Sequence, residues 1–254
     1  MNLHFKTCGR GEPLLILHGL FGSLDNWHSA SVQFSEHFQV FALDQRNHGR
    51  SPHSQEMSYE LMAEDLTEFM QTHGLGQAHL LGHSMGGKTA MEFALLHPEH
   101  VRKLVVVDIA PRAYEQHHQA ILTALLKLEL EQLQTRKQAE DALAADIPDL
   151  ALRQFLLKNL VRDPDAGFRW RFGLNEINSN YPHLGEEITA KTPFDGPALF
   201  VRGESSDFVE DKDLPLIKRL FRQSLMQSVP AAGHLPHVEN PAVFLPLVLD
   251  FLKK

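Results

Sequence analysis

The sequence predicts an α/β protein with a mostly parallel central sheet, helices on both faces and a helical cap inserted late in the chain. Three observations lead there. Short, wholly apolar runs such as Leu14-Leu15-Ile16-Leu17, Val40-Phe41-Ala42-Leu43 and Leu104-Val105-Val106-Val107 have the composition of strands buried on both faces. Helical patterns alternate with these runs at a spacing that suits right-handed parallel crossovers. After Pro111 the alternation stops, and from Tyr114 to about Ala190 the pattern is helical with no convincing strand.

In chain order, Asn2 to Thr7 reads as an edge strand, and the turn Gly9-Arg10-Gly11-Glu12-Pro13 leads into the strand at Leu14. Asn26 to Phe38 reads as a helix and Val40 to Leu43 as the next strand, which runs into the charged loop Asp44 to Ser51. Charged and glycine residues at that density predict a loop held by its own ion pairs and turns. Ser58 can cap a helix whose Tyr59, Met62, Ala63, Leu66, Phe69 and Met70 share one face, and Gly74 ends it. A strand through Leu80-Leu81, a helix to His97-Pro98 and a strand from Lys103 to Asp108 follow. The insert carries Ile121, Leu122, Leu125 and Leu128, then Leu152, Phe155, Leu156 and Leu160, then the aromatic stretch Phe168, Trp170, Phe172. Beyond it come a strand at Ala198 to Val201, a helix at about 212–221 and a strand at Leu225 to Val229. A last helix starts at Asn240-Pro241, with a break or kink expected at Pro246. Residues 1–112 and 191–254 are thus expected to form the core, and 113–190 a cap over the carboxyl ends of the strands, where open α/β sheets bind ligands.

With 254 residues and 43% hydrophobic content, the chain can bury one large core or two small ones and reads as one soluble globular unit. Its net charge of -8 contains no long run of one sign, which argues against a general nucleic-acid or anionic-membrane binder. The single Cys8 makes no internal disulfide, and no charged start followed by an apolar core marks a signal peptide, so the cytoplasm is the expected location. No apolar stretch approaches the ~20 residues that span a bilayer.

The chemistry centres on Gly82-His83-Ser84-Met85-Gly86, which joins a strand to a helix. A lone Gly-x-Ser-x-Gly can be a plain turn, but in this setting it raises the serine hydroxyl clear of the sheet as a nucleophile. Gly82 and Gly86 are needed because a Cβ at either position would meet the crossing chain. The amide of Met85 then points at the reacting atom from the helix N-terminus, and that of Leu20, in His18-Gly19-Leu20-Phe21-Gly22-Ser23, is a second oxyanion donor. Of the sixteen histidines, His234 is preferred as base over His237, because it lies on a glycine-preceded loop directly after a strand. Phe21, Ser206 and Trp170 are candidate substrate contacts. Arg153, Lys158, Arg162, Arg169 and Arg171 read as a solvated face that a phosphate-bearing substrate could use. Asp207, after the strand at Ala198 and the Gly203 turn, stands where an acid could orient the histidine.

Together these features resemble the α/β-hydrolase superfamily. More narrowly, His18 to Asn26, Arg46-Asn47-His48-Gly49, Asp108-Ile109-Ala110-Pro111 and Gln154 to Lys158 resemble the small bacterial esterases of the YbfF type. The resemblance implies hydrolysis of acyl esters or acyl thioesters, small-molecule substrates, under a four-helix cap with no metal or organic cofactor. It also implies that the acid is Asp108, with a serine, here Ser206, near the usual acid position. Asp207 beside that serine departs from the pattern, so both aspartates are carried: Asp108 as the preferred orienter, Asp207 as structural or a partial substitute. Ser84 argues against the haloalkane-dehalogenase and epoxide-hydrolase branches, which use a carboxylate nucleophile. A carbon–carbon bond hydrolase, a menaquinone-pathway-type lyase and a non-catalytic ligand-binding member of the fold are the alternatives.

Overall fold

The computed structural model describes residues 1–163 and 167–254. Before the insert the chain forms β1 (Phe5–Cys8), β2 (Pro13–Leu17), α1 (His28–Phe34), β3 (Gln39–Leu43), α2 (Tyr59–Thr72), β4 (Ala78–His83), α3 (Met85–Leu96) and β5 (Val101–Val107). The insert holds α4 (Gln119–Lys127), α5 (Arg136–Ala142), α6 (Leu150–Leu157), β6 (Leu160–Asp163), β7 (Gly167–Trp170) and α7 (Leu174–Leu184). It is followed by β8 (Phe194–Gly203), α8 (Leu214–Leu220), β9 (Phe221–Val229), α9 (Pro236–Glu239) and α10 (Pro241–Lys253).

Among the described residues, seven strands make one sheet in the order β1-β3-β2-β4-β5-β8-β9, antiparallel between β1 and β3 and parallel elsewhere. Side chains alternate across a strand, so a strand covered on both faces needs apolar residues at every position. Leu15 and Leu17 of β2 pack in the layer that holds α2 and α3, whereas Leu14 and Ile16 pack with Phe34 of α1 and Phe244 and Val248 of α10. Each such side chain taken out of water contributes about 1.5–3 kcal/mol.

Several elements differ from the sequence reading. The first helix is shorter than Asn26–Phe38, because Leu24–Trp27 forms a 3-10 turn and α1 starts only at His28. The insert is not all helical: β6 and β7 pair antiparallel from Leu160 opposite Trp170 to Asp163 opposite Gly167. Phe168 and Trp170 of β7 are buried and Arg169 between them is exposed, a period of two that the search for helical spacing passed over. β9 begins at Phe221, earlier than Leu225, because its parallel pairing with β8 extends back to Phe194. α10 runs unbroken through Pro246. That proline lies in the second turn, so a single backbone donor is lost, while buried Phe244, Leu245, Val248 and Leu252 hold both halves against the sheet.

Buried polar side chains seat the insert on the core. Tyr59 Oη donates to the Leu184 carbonyl at 2.8 Å, Asn180 Nδ2 to the Gln55 carbonyl at 2.7 Å, and Asn159 Nδ2 to the Phe21 carbonyl at 2.8 Å. No helix among the described residues is long and apolar enough to cross a membrane.

Candidate active site

Ser84 stands alone between β4 and α3 with φ 52 and ψ −118. A non-glycine residue in that region costs about 1–3 kcal/mol and persists only where its surroundings fix it. A Cβ on Gly82 would overlap the Gly86 carbonyl oxygen, and one on Gly86 would lie 2.6 Å from the His18 carbonyl oxygen, so the turn closes only with glycine at both. The parallel ladder continues just past the strand ends. Ser84 N–H donates to the Val107 carbonyl at 3.0 Å and Asp108 N–H to the Val201 carbonyl at 2.7 Å, which sets both residues at the carboxyl edge of the sheet.

Asp108 also has a positive φ, 52, and its side chain is fully buried. Its carboxylate accepts from Gly203 N–H at 2.9 Å, from Ser206 Oγ at 2.5 Å and from His234 Nδ1 at 2.8 Å. With Nδ1 donating to the acid, Nε2 is the nitrogen left to take a proton. The Phe208 ring stacks on His234 at 3.8 Å and 23°, and His83 Nε2 donates to the His234 carbonyl at 2.8 Å. Burial, with His234 close by, holds His83 well below the usual histidine range, so this ring is neutral. Among the described residues the Ser84 hydroxyl makes no hydrogen bond; bonds of this kind tighten when substrate binds.

Asp207 does not join this group. It is exposed, and its backbone carbonyl accepts from Arg112 Nη2 at 3.5 Å. Three donors converge on Asp108 from β8, the following turn and the histidine loop, and the position of Asp207 beyond the turn carries it out to solvent. His237, the other candidate base, is a core residue stacked on Trp27 at 4.1 Å and 6°, and burial pushes it down to about 3.

The two oxyanion candidates line one cavity with Ser84, and among the described residues neither the Leu20 nor the Met85 amide donates to a protein acceptor. Gly22 N–H closes the Leu20 turn on the Gly19 carbonyl at 2.9 Å. A Cβ on Gly19 would lie 3.3 Å from that of Ser84, so glycine brings this turn against the elbow. Two neutral histidines hold the loop from behind. His18 Nε2 accepts from Gln45 N–H at 3.1 Å, and His48 Nε2 accepts from Phe21 N–H at 3.2 Å. Burial pushes His18 down to about 4 and His48 down to about 3, which leaves each ring able to accept. The loop from Asp44 is held by its own contacts: Arg46 makes a buried two-point pair with Asp65 at 2.7 and 2.9 Å, and Asp44 accepts the Leu24 and Arg50 amides at 2.8 and 2.9 Å.

The cavity measures about 50 Å³, and its wall also includes Lys88, Tyr114 and Phe208. The three candidate substrate contacts lie elsewhere. Ser206 is bonded to Asp108 and accepts from Phe208 N–H at 3.3 Å. Phe21, at φ 59, packs its ring on Phe172 at 5.4 Å, and Trp170 stacks on Phe172 at 5.2 Å. These rings fill the seam between insert and core because they are large and apolar, and the insert needs that burial to stay seated. Sequence reasoning missed His83, His48, Phe208 and Lys88. Lys88 carried a local signal, a lysine four residues after Ser84 on α3.

The chain belongs to the α/β-hydrolase-fold family, whose sequence model matches residues 12–241. Its relatives include the mouse sn-1-specific diacylglycerol lipase ABHD11, 40% identical over 94% of this chain and 80% of that protein. Escherichia coli esterase YbfF is 34% identical over 95% of this chain and 93% of its own. Among solved structures, a marine microorganism esterase superposes with a TM-score of 0.96 at 45% identity, covering 98% of each chain.

Proposed function

We propose that the chain is a serine hydrolase that cleaves short- to medium-chain acyl esters or acyl thioesters through Ser84, His234 and Asp108, by way of an acyl-enzyme. At the coarser level it is a carboxylic ester hydrolase, in a family whose bacterial and vertebrate members here are named esterases and lipases. The observation that carries the finer reading is the strained Ser84 at the same sheet edge as Asp108, whose buried carboxylate holds His234 by Nδ1 and leaves Nε2 available.

In this reading His234 Nε2 takes the Ser84 proton as Oγ attacks the acyl carbonyl, and Asp108 stabilises the imidazolium. The Leu20 and Met85 amides receive the negative charge of the tetrahedral oxygen, a contribution worth about 10²–10³ in kcat per donor. His234 then protonates the leaving alcohol or thiol, and a water attacks the acyl-serine to release the acid. The steps draw on protein groups and water alone. Residues 113–190 act as the cap that walls the acyl site.

A water-sized group needs about 10–15 Å³ of such space, so the cavity of about 50 Å³ accepts only a few heavy atoms and supports a preference for short acyl chains. A chain-length series of 4-nitrophenyl esters beside the matching acyl-CoA thioesters tests this. Turnover is expected to fall as the acyl chain lengthens from acetyl and butyryl towards palmitoyl. Failure on every ester and thioester, with turnover of a vinylogous diketone, would move the protein to the carbon–carbon bond hydrolases.

A further inference from the structure

Lys88 is a charged group of the cavity that this chemistry leaves unused. It lies one turn beyond Ser84 on α3, its amide donating to the Ser84 carbonyl at 3.1 Å, and both residues line the same cavity. Lys88 is 1% exposed. A buried ammonium is costly unless its three donors are answered. Here Nζ donates to the Glu186 carbonyl and lies 5.0 Å from the Tyr114 ring centre and 5.5 Å from that of Tyr59. Among the described residues the Glu186 carbonyl is the one hydrogen-bond acceptor of Nζ, and the Glu186 and Glu187 carboxylates act on it without forming an ion pair.

The neighbouring hydroxyls are already committed. Tyr59 Oη donates to the Leu184 carbonyl at 2.8 Å, Tyr114 Oη donates to the Phe208 carbonyl at 2.5 Å, and Tyr181 Oη accepts His118 N–H at 2.8 Å. Of Tyr59, Tyr114 and Lys88, Lys88 is the one with donors left for a ligand oxygen in the cavity, whose wall also includes Glu115, His117 and His118. A purely hydrocarbon chain there would leave the ammonium against apolar atoms, which is unfavourable. Burial, reinforced by Arg112, pulls Lys88 down to about 7, so an anion beside it would hold the proton in place.

We propose that Lys88 is a specificity-determining group that receives a carboxylate at the far end of the acyl chain, making half-esters or half-thioesters of small dicarboxylic acids the preferred substrates. The proposal rests on the serine-hydrolase reading and narrows its substrate class. The small cavity favours the short members of that class. In the reaction the ester C–O or C–S bond breaks, water supplies the new oxygen of the released acid, and Lys88 exchanges no proton with the reacting atoms.

The test compares kcat/KM for monomethyl glutarate and methyl valerate in wild type and in Lys88→Met, with 4-nitrophenyl butyrate as an activity control. Wild type is expected to favour the half-ester by at least about 10-fold, and Lys88→Met to lower the ratio of half-ester to neutral-ester kcat/KM by about 10- to 100-fold, the scale of a hydrogen bond to a charged group. A wild-type preference for methyl valerate overturns the proposal, and so does an equal fall on both esters, which would make Lys88 a brace for Glu186. If Lys88→Met does not fold, the wild-type ratio decides alone. Turnover of 4-nitrophenyl butyrate without turnover of either methyl ester removes the Lys88 proposal and leaves the hydrolase reading standing. No turnover of any of the three removes both.

Discussion

Asp108→Asn is expected to lower kcat by about two or more orders of magnitude, while Asp207→Asn keeps it within about threefold of wild type. The physical difference lies in what each carboxylate touches. Asp108 accepts the Nδ1 proton of His234 at 2.8 Å, and that bond fixes the tautomer in which Nε2 is left to take a proton. An asparagine amide in the same place can offer its own N–H to Nδ1, which moves the ring proton to Nε2 and removes the base. Asp207 is exposed and offers only its backbone carbonyl to Arg112. Asp108 also answers Gly203 and Ser206, so its loss leaves buried donors poorly matched, at about 1–3 kcal/mol in stability. Thermal melting of both variants separates that cost from the loss in rate. A dead Asp207→Asn beside a near-normal Asp108→Asn would hand the acid's role to Asp207.

Ser84→Ala is expected to remove activity by about 10⁴-fold or more, with the fold intact. Alanine keeps the Cβ that the turn already accommodates, and among the described residues the hydroxyl makes no hydrogen bond whose loss would unsettle the elbow. Stability should therefore change little while the acyl-enzyme route closes. Full activity in this variant would reject the nucleophile and favour the ligand-binding alternative.

Much of the fold was legible because it follows from local patterns. Apolar runs at Leu14, Val40 and Leu104 became β2, β3 and β5, since a strand covered on both faces has no other composition open to it. The elbow was legible for the same reason: glycines at 82 and 86 and a strand-to-helix switch constrain one short stretch. What escaped was set by pairing and packing that no single local pattern announces. β6 and β7 show weak alternation, and their pairing became visible only in three dimensions. Phe21 and Trp170 look like pocket aromatics in sequence, yet both pack on Phe172 at the seam. Ser206 and Asp207 are adjacent, and nothing local says that the serine turns in to Asp108 while the aspartate turns out. Nothing beside His83 in the elbow motif says that its ring reaches across the chain to the His234 carbonyl.

The central claim is that Ser84 forms a covalent bond with substrate, and intact-protein and peptide mass spectrometry after treatment with an organophosphonate tests it most directly. The predicted result is a single phosphonyl adduct on the peptide that carries Ser84, formed as esterase activity disappears and absent in Ser84→Ala. Folded protein that stays unmodified at Ser84, or that loses activity through an adduct elsewhere, would contradict it.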